Sequence, residues 1–169
     1  MSGSYTVGAT GTYATLTAAL ADFNSKCLTG PVTFLLTDAN YAEAGQLLVN
    51  SPYASATNTL TIKPAPGVTA SISASVTTYL FKILNGYVTI DGSNNGSSTR
   101  DLTITNTSGT TPGVIWIGST GVTPITNVIV KNTILVNGAT TNTALLVGDG
   151  TTNGNAGYFS NITIQNNSV

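Results

Sequence analysis

The chain has 169 residues, of which 41% are hydrophobic and only 7% charged; its formal net charge is −1, and it has one cysteine and no histidine. That length suits a single domain with enough apolar content for a core, although an ordinary globular protein carries roughly 25% charged residues. The five basic residues are scattered and form no patch for phosphates, and no apolar run approaches the ~18 residues of a membrane helix, so neither a nucleic-acid partner nor membrane insertion is expected.

Residues 1–31 are read as an N-terminal strand followed by a capping helix. Thr15 to Cys27 breaks the pattern of the rest of the chain: Leu16, Leu20, Phe23 and Cys27 fall at i, i+4, i+7 and i+11, along one helical face. Thr15 can cap the start, and Gly30-Pro31 stops any continuation. A coil of stacked strands needs such a cap, because its first turn otherwise presents bare apolar side chains and unpaired strand edges. The helix is therefore expected across the N-terminal end of the coil, with Cys27 as a small buried hydrophobe. A lone cysteine excludes an internal disulfide.

Residues 32–169 are read as rungs. Short β-branched runs recur at Val32-Thr33-Phe34, Leu60-Thr61-Ile62, Val88-Thr89-Ile90, Val114-Ile115-Trp116 and Ala144-Leu145-Leu146, with starts 26 to 30 residues apart. A second column interleaves at Leu47-Leu48-Val49, Ser71-Ile72-Ser73, Leu102-Thr103-Ile104, Val128-Ile129-Val130 and Ile162-Thr163-Ile164. A third face is fainter, at Tyr79 to Ile83 and Thr133 to Val136. A strand residue advances roughly 3.3 Å, so about 28 residues make three strands and three bends before the chain returns to its starting face. The fold class predicted is all-β: a single-stranded parallel β-helix of about five rungs, with Val88 and Ile90 inward and Thr89 outward. Thr, Ser, Asn and Gly fill the bends.

Candidate functional positions are few. The chain is still inside the repeat at Asn161 to Val169, so the C-terminal coil is read as uncapped; Ile162, Ile164 and Val169 then lie on an interaction surface. Thr33, Thr61 and Thr89 would form an outward ladder, with Thr103 and Thr163 on the adjoining face. Trp116 lies between Ile115 and Ile117, either filling the core or facing out to stack on a sugar or a neighbouring molecule. Asp91, Arg100 and Asp101 flank one loop and form the best candidate catalytic cluster, since glycosidases need paired carboxylates and lyases a base. Asp91-Gly92 is also a plain turn signal. Without histidine there is no imidazole triad or imidazole metal site, and no cofactor is expected.

The segment Tyr87-Val88-Thr89-Ile90-Asp91-Gly92-Ser93-Asn94-Asn95-Gly96, running on to Arg100-Asp101-Leu102-Thr103-Ile104, resembles one common in large secreted and surface proteins of Bacteroidetes-type bacteria. Tyr13 to Leu20 with Gly30-Pro31-Val32-Thr33-Phe34 is similar to the start of the same domain, and Asn161 to Asn167 to its later coils. The resemblance implies a right-handed, pectin-lyase-like β-helix, export to the cell surface, and a structural or adhesive role. The function expected is a non-enzymatic extracellular module whose partners are other copies of itself, head to tail in fibres, or surface glycans. Rival expectations are a carbohydrate-active or carbohydrate-binding β-helix and, through the threonine ladder, ice binding.

Overall fold

A computed structural model describes residues 1–110, 112–119, 121, 124–139, 143–152 and 155–169. The described elements are β1 (Gly3–Val7), α1 (Leu16–Ser25), β2 (Val32–Leu36), β3 (Asn40–Ala42), β4 (Leu47–Val49), β5 (Leu60–Pro64), β6 (Ala70–Ala74), β7 (Tyr79–Ile83), β8 (Val88–Asp91), β9 (Leu102–Asn106), β10 (Gly113–Ser119), β11 (Ile125–Lys131), β12 (Thr133–Asn137), β13 (Leu145–Asp149) and β14 (Phe159–Gln165). Strands this short cannot stand alone, and each is buried along one face only by stacking on the turn below. Three parallel sheets result: β1-β2-β5-β8-β11-β14, β3-β6-β9-β12 and β4-β7-β10-β13. The chain visits them in rotation and climbs as a parallel β-solenoid of about five turns.

Alternation places the core. Val32, Phe34 and Leu36, Leu60 and Ile62, Val88 and Ile90, and Val128 and Val130 point inward from the first sheet and are buried. Ile72, Leu102, Ile104 and Leu135 do so from the second, and Leu47, Val49, Phe81, Ile83, Ile115 and Ile117 from the third. Full burial of each such side chain contributes roughly 1.5–3 kcal/mol, so the core accumulates turn by turn.

The rungs do not keep a constant length. In the first sheet Val32 pairs with Leu60, Leu60 with Val88, Val88 with Val128 and Val128 with Ile162, steps of 28, 28, 40 and 34 residues. The two interleaved columns expected from spacing therefore mix sheets. Val114-Ile115-Trp116 and Ala144-Leu145-Leu146 lie in the third sheet, stacked above Leu47-Leu48-Val49 and Tyr79–Ile83. The runs at Val128 and Ile162 continue the first sheet instead, and the supposed third face divides between β7 in the third sheet and β12 in the second. The physical reason is the ten-residue excursion 92–101 between β8 and β9, which delays the return to the first sheet. Runs of similar composition then fell into a false 26-residue step.

The N-terminal end is closed by three devices. Tyr5, Tyr13 and Phe23 gather on Phe34 with ring centroids 5.9–6.5 Å apart, plugging the bottom of the core. Asn24 of α1 then serves the open edge of β4, its amide donating to the Leu48 carbonyl at 2.9 Å and its oxygen accepting from the Asn50 amide at 2.8 Å. At the start of α1, Thr15 Oγ1 accepts from the Ala18 amide, while buried Glu43 reaches from the corner before β4 to accept from the Leu16 amide at 2.9 Å and from Thr17. These are donors that every helix start leaves unpaired, and a carboxylate also suits the positive end of the helix dipole. The expectation for Cys27 is corrected. The helix ends at Ser25, Lys26 is extended, and Cys27 leaves the apolar face to become exposed, with Leu28 taking the buried place.

Replacing Glu43 by Ala strands the buried Leu16 amide and is expected to cost about 1–3 kcal/mol. Urea denaturation should show a lower midpoint, partly recovered in Glu43→Gln; an unchanged midpoint in Glu43→Ala would remove the carboxylate from the cap.

Candidate functional site

At the opposite end the apolar interior continues to the surface. Ile162 and Ile164 occupy the inward positions directly above Val128 and Val130, which are fully buried, yet Ile164 is 49% exposed. Val147 stands above buried Ile117, and Val169 is 87% exposed. Strands β13 and β14 are the terminal strands of their sheets. Above β12, Ser168 forms an isolated parallel bridge: its amide donates to the Thr133 carbonyl, and the Leu135 amide to the Ser168 carbonyl, both at 2.8 Å. Asn167 sews that corner down, accepting from the Thr133 amide and hydroxyl and donating to the Val130 carbonyl.

On the outer face of the first sheet, Ser4, Thr33, Thr61 and Thr89 stand in register, followed by Ile129 and then Thr163. Thr163 thus belongs to this column, whereas Thr103 lies on the second sheet between Ser71 and Ile134. The next outward column holds Leu35 beside Lys63, and Asp91 beside Lys131 beside Gln165, so charged groups flank the hydroxyls and no flat threonine array forms.

Trp116 faces outward on the third sheet, in register with Lys82 and Leu146, and is nevertheless only 6% exposed. Tyr79 covers it, ring to ring at 5.3 Å, and Lys82 Nζ lies 4.6 Å from the centre of the indole. Alternation breaks in β7, where Leu80 and Phe81 are consecutively buried in the core and Tyr79 is left outside it; in the strand above, the Val114 and Ile115 amides both donate to the Ala144 carbonyl, a β-bulge pattern. Neither alternative read from the sequence describes this tryptophan, which is an outer-face side chain roofed by its neighbours.

Asp91, Arg100 and Asp101 each have partners of their own, and no ion pair or hydrogen bond joins any two of them. Asp91 accepts from the Ser93 amide at 3.0 Å and the Asn132 side chain at 2.8 Å, and Lys131 Nζ lies 3.2 Å away. Asp101 accepts from the Asn94 amide and, at 2.6 Å, the Thr99 hydroxyl. Arg100 reaches up two turns, its guanidinium donating to the Asn166 carbonyl at 2.7 Å and to Asn166 Oδ1 at 2.6 Å. Asn166 in turn donates to the Ser98 carbonyl and to Asn132 Oδ1, both at 2.8 Å. Loop 92–101 is therefore a staple strapped across three successive turns. Among the described residues no group of three or more carboxylates or thiols is placed to hold a metal ion, and no helix is long and apolar enough to cross a membrane.

The corners carry the remaining chemistry. Three equivalent positions hold left-handed backbone: Tyr87, just before β8, at φ 61°, and Asn127 and Asn161, third in β11 and β14, at 56° and 57°. Asn132 and Asn166 leave the upper two in the same conformation. Asparagine tolerates this region, and Asn161 donates to Asn127 across the turns. A bulky aromatic there is an outlier, costing roughly 1–3 kcal/mol. Gly86 is needed beside it, because a Cβ would collide with the Thr126 carbonyl. Tyr87 opens onto a cleft of about 360 Å³ on the outer face of the first sheet, lined also by Ala56, Thr59, Thr89, Asn127 and Ile129.

Sequence reading missed these corner residues, although a signal was present. Asn127-Val128-Ile129-Val130-Lys131-Asn132 and Asn161-Ile162-Thr163-Ile164-Gln165-Asn166 share one frame, with Tyr87 to Gly92 as the third member, and that frame identifies which runs stack. No family model, curated protein or solved structure matches the chain.

Partial burial pushes the Asp91 pKa up, but the Ser93 amide, the Asn132 side chain and Lys131 together outweigh it and hold the carboxyl below its usual range. Stability from this group is thus present above the unfolded pKa of about 3.9 and lost as pH falls through the lower folded value. Asp91→Asn is expected to melt lower than the parent at neutral pH but to lose less as pH drops below about 4. Equal acid slopes in the two melting series would assign that dependence to other carboxylates.

Proposed function

We propose that this chain is a structural and adhesive β-solenoid module of the bacterial cell exterior, joined to a second copy through its C-terminal coil. The observation carrying the reading is the contrast between the two ends. The N-terminal end is plugged by aromatic rings and α1, whereas among the described residues Ile164 and Val147, at inward positions on β14 and β13, are exposed apolar side chains. An apolar cross-section bordered by strand edges is a template for another chain. A head-to-tail fibre would need the plugged end as acceptor, so the joint proposed is between two C-terminal coils about a twofold axis, the commonest symmetry of soluble oligomers. The exterior location and the adhesive role rest on the resemblance of Tyr87 to Ile104 and of the opening segment to pectin-lyase-like surface domains, together with a surface built from hydroxyls and amides. A carbohydrate-active enzyme draws no support from Asp91, Arg100 and Asp101, each of which is engaged in the loop staple. Ice binding draws none from a ladder one residue wide between charged neighbours.

Light scattering over a concentration series should show mass rising to that of a dimer. Ile164→Asp places a charge on the joint and is expected to weaken it at least about tenfold, with circular dichroism unchanged. A parent that stays monomeric throughout would overturn the joint; open-ended growth would return the head-to-tail arrangement.

A further inference from the structure

The cleft on the outer face of the first sheet lies away from the C-terminal coil and does not depend on any joint there. Three observations converge on it. The first is that Tyr87 holds left-handed backbone at a corner where the equivalent residues one and two turns up are Asn127 and Asn161, so the fold asks for asparagine and receives an aromatic ring. Strain of that kind persists where the side chain has another role. The second is that the ring does not serve packing, since Tyr87 is half-buried and lies outside the hydrophobic core and the side chains packed against it. Its hydroxyl, like those of Thr59 and Thr89, has no hydrogen-bond partner among the described residues. The third is the character of the space. At about 360 Å³ it falls within the roughly 300–1,000 Å³ of small-ligand sites, and none of its six lining residues is charged.

We infer that this cleft binds a neutral saccharide, with the Tyr87 ring stacked on the apolar face of a sugar residue and the Thr59, Thr89 and Tyr87 hydroxyls and the Asn127 amide bonding its hydroxyl groups. Charge decides the class: a lining without cation or anion offers nothing to a uronate, a phosphate or an ammonium group, while an aromatic face beside several free hydroxyls matches a polyol with one C–H face. Asn127 has capacity left, since its side chain accepts from Asn161 and donates once, to Thr126 Oγ1 at 3.1 Å. Ile129, which interrupts the threonine column, supplies the apolar wall above Thr89.

Tyr87→Asn separates this assignment from a merely structural tyrosine, because relief of strain and loss of binding move in opposite directions. Calorimetric titration with neutral hexasaccharides of glucose, xylose and mannose, and with the charged hexagalacturonate as control, should find a neutral ligand for the parent chain. In Tyr87→Asn the dissociation constant should rise about tenfold or more, while the melting temperature holds or climbs by roughly 2–4 °C. Thr89→Val, on a strand interior, should weaken binding with its melting temperature maintained. Failure of every neutral sugar at about 10 mM, preference for the charged one, or undiminished binding by either variant would overturn the site.

Discussion

Parallel coil-on-coil hydrogen bonding is the constraint on which everything else in this molecule depends. Each turn both donates and accepts backbone hydrogen bonds along its upper and its lower edge, so every interior turn is satisfied by two neighbours and the structure is nearly one-dimensional. The difficulty is displaced to the ends, where backbone groups and apolar side chains have a neighbour on one side only. At the N-terminal end an entire helix, four aromatic rings and the side chains of Asn24 and Glu43 are committed to that problem. On the C-terminal coil, by contrast, Ile164 repeats the position of fully buried Val130 at 49% exposure.

Stacking also disciplines the corners. In the upper turns the bends fall at the same place, so left-handed Asn127 and Asn132 are repeated one turn up by Asn161 and Asn166, and an amide side chain can bond its counterpart. Asn132 and Asn166 do this at 2.8 Å, and Asp91 joins the series one turn lower by accepting from Asn132. Residues resembling catalytic carboxylates are in this sense parts of a vertical polar seam that loop 92–101 covers. At the other corner, Tyr87 departs from the chemistry of Asn127 and Asn161 without departing from their geometry. That is why it stands out as a residue kept for its ring.

Much of the fold was legible in the sequence. The alternation of Val88, Thr89 and Ile90 reappears as core, surface and core, the register of Thr33, Thr61 and Thr89 is as spacing suggested, and Thr15 caps the helix at its amide partner Ala18. The later columns were not legible, because a run such as Val114-Ile115-Trp116 is chemically equivalent to Val128-Ile129-Val130 and a ten-residue loop changes which of them sits above Val88. Cys27 was misplaced for a related reason: helical spacing continued on paper past Ser25, where the chain had already turned extended.

What the sequence by itself determined is local: strand alternation, helix start and bend-forming residues, because each depends on the stereochemistry of a few neighbours. A low count of charges likewise determined that hydroxyls and amides must dress the surface. What only the tertiary structure decided is vertical adjacency. Arg100 meets Asn166 across 66 positions of sequence, Tyr79 roofs Trp116, and Thr59, Tyr87 and Asn127 share one cleft. The lengths of intervening loops set those partnerships, and loop length carries no imprint of the turn on which the chain will next come to rest.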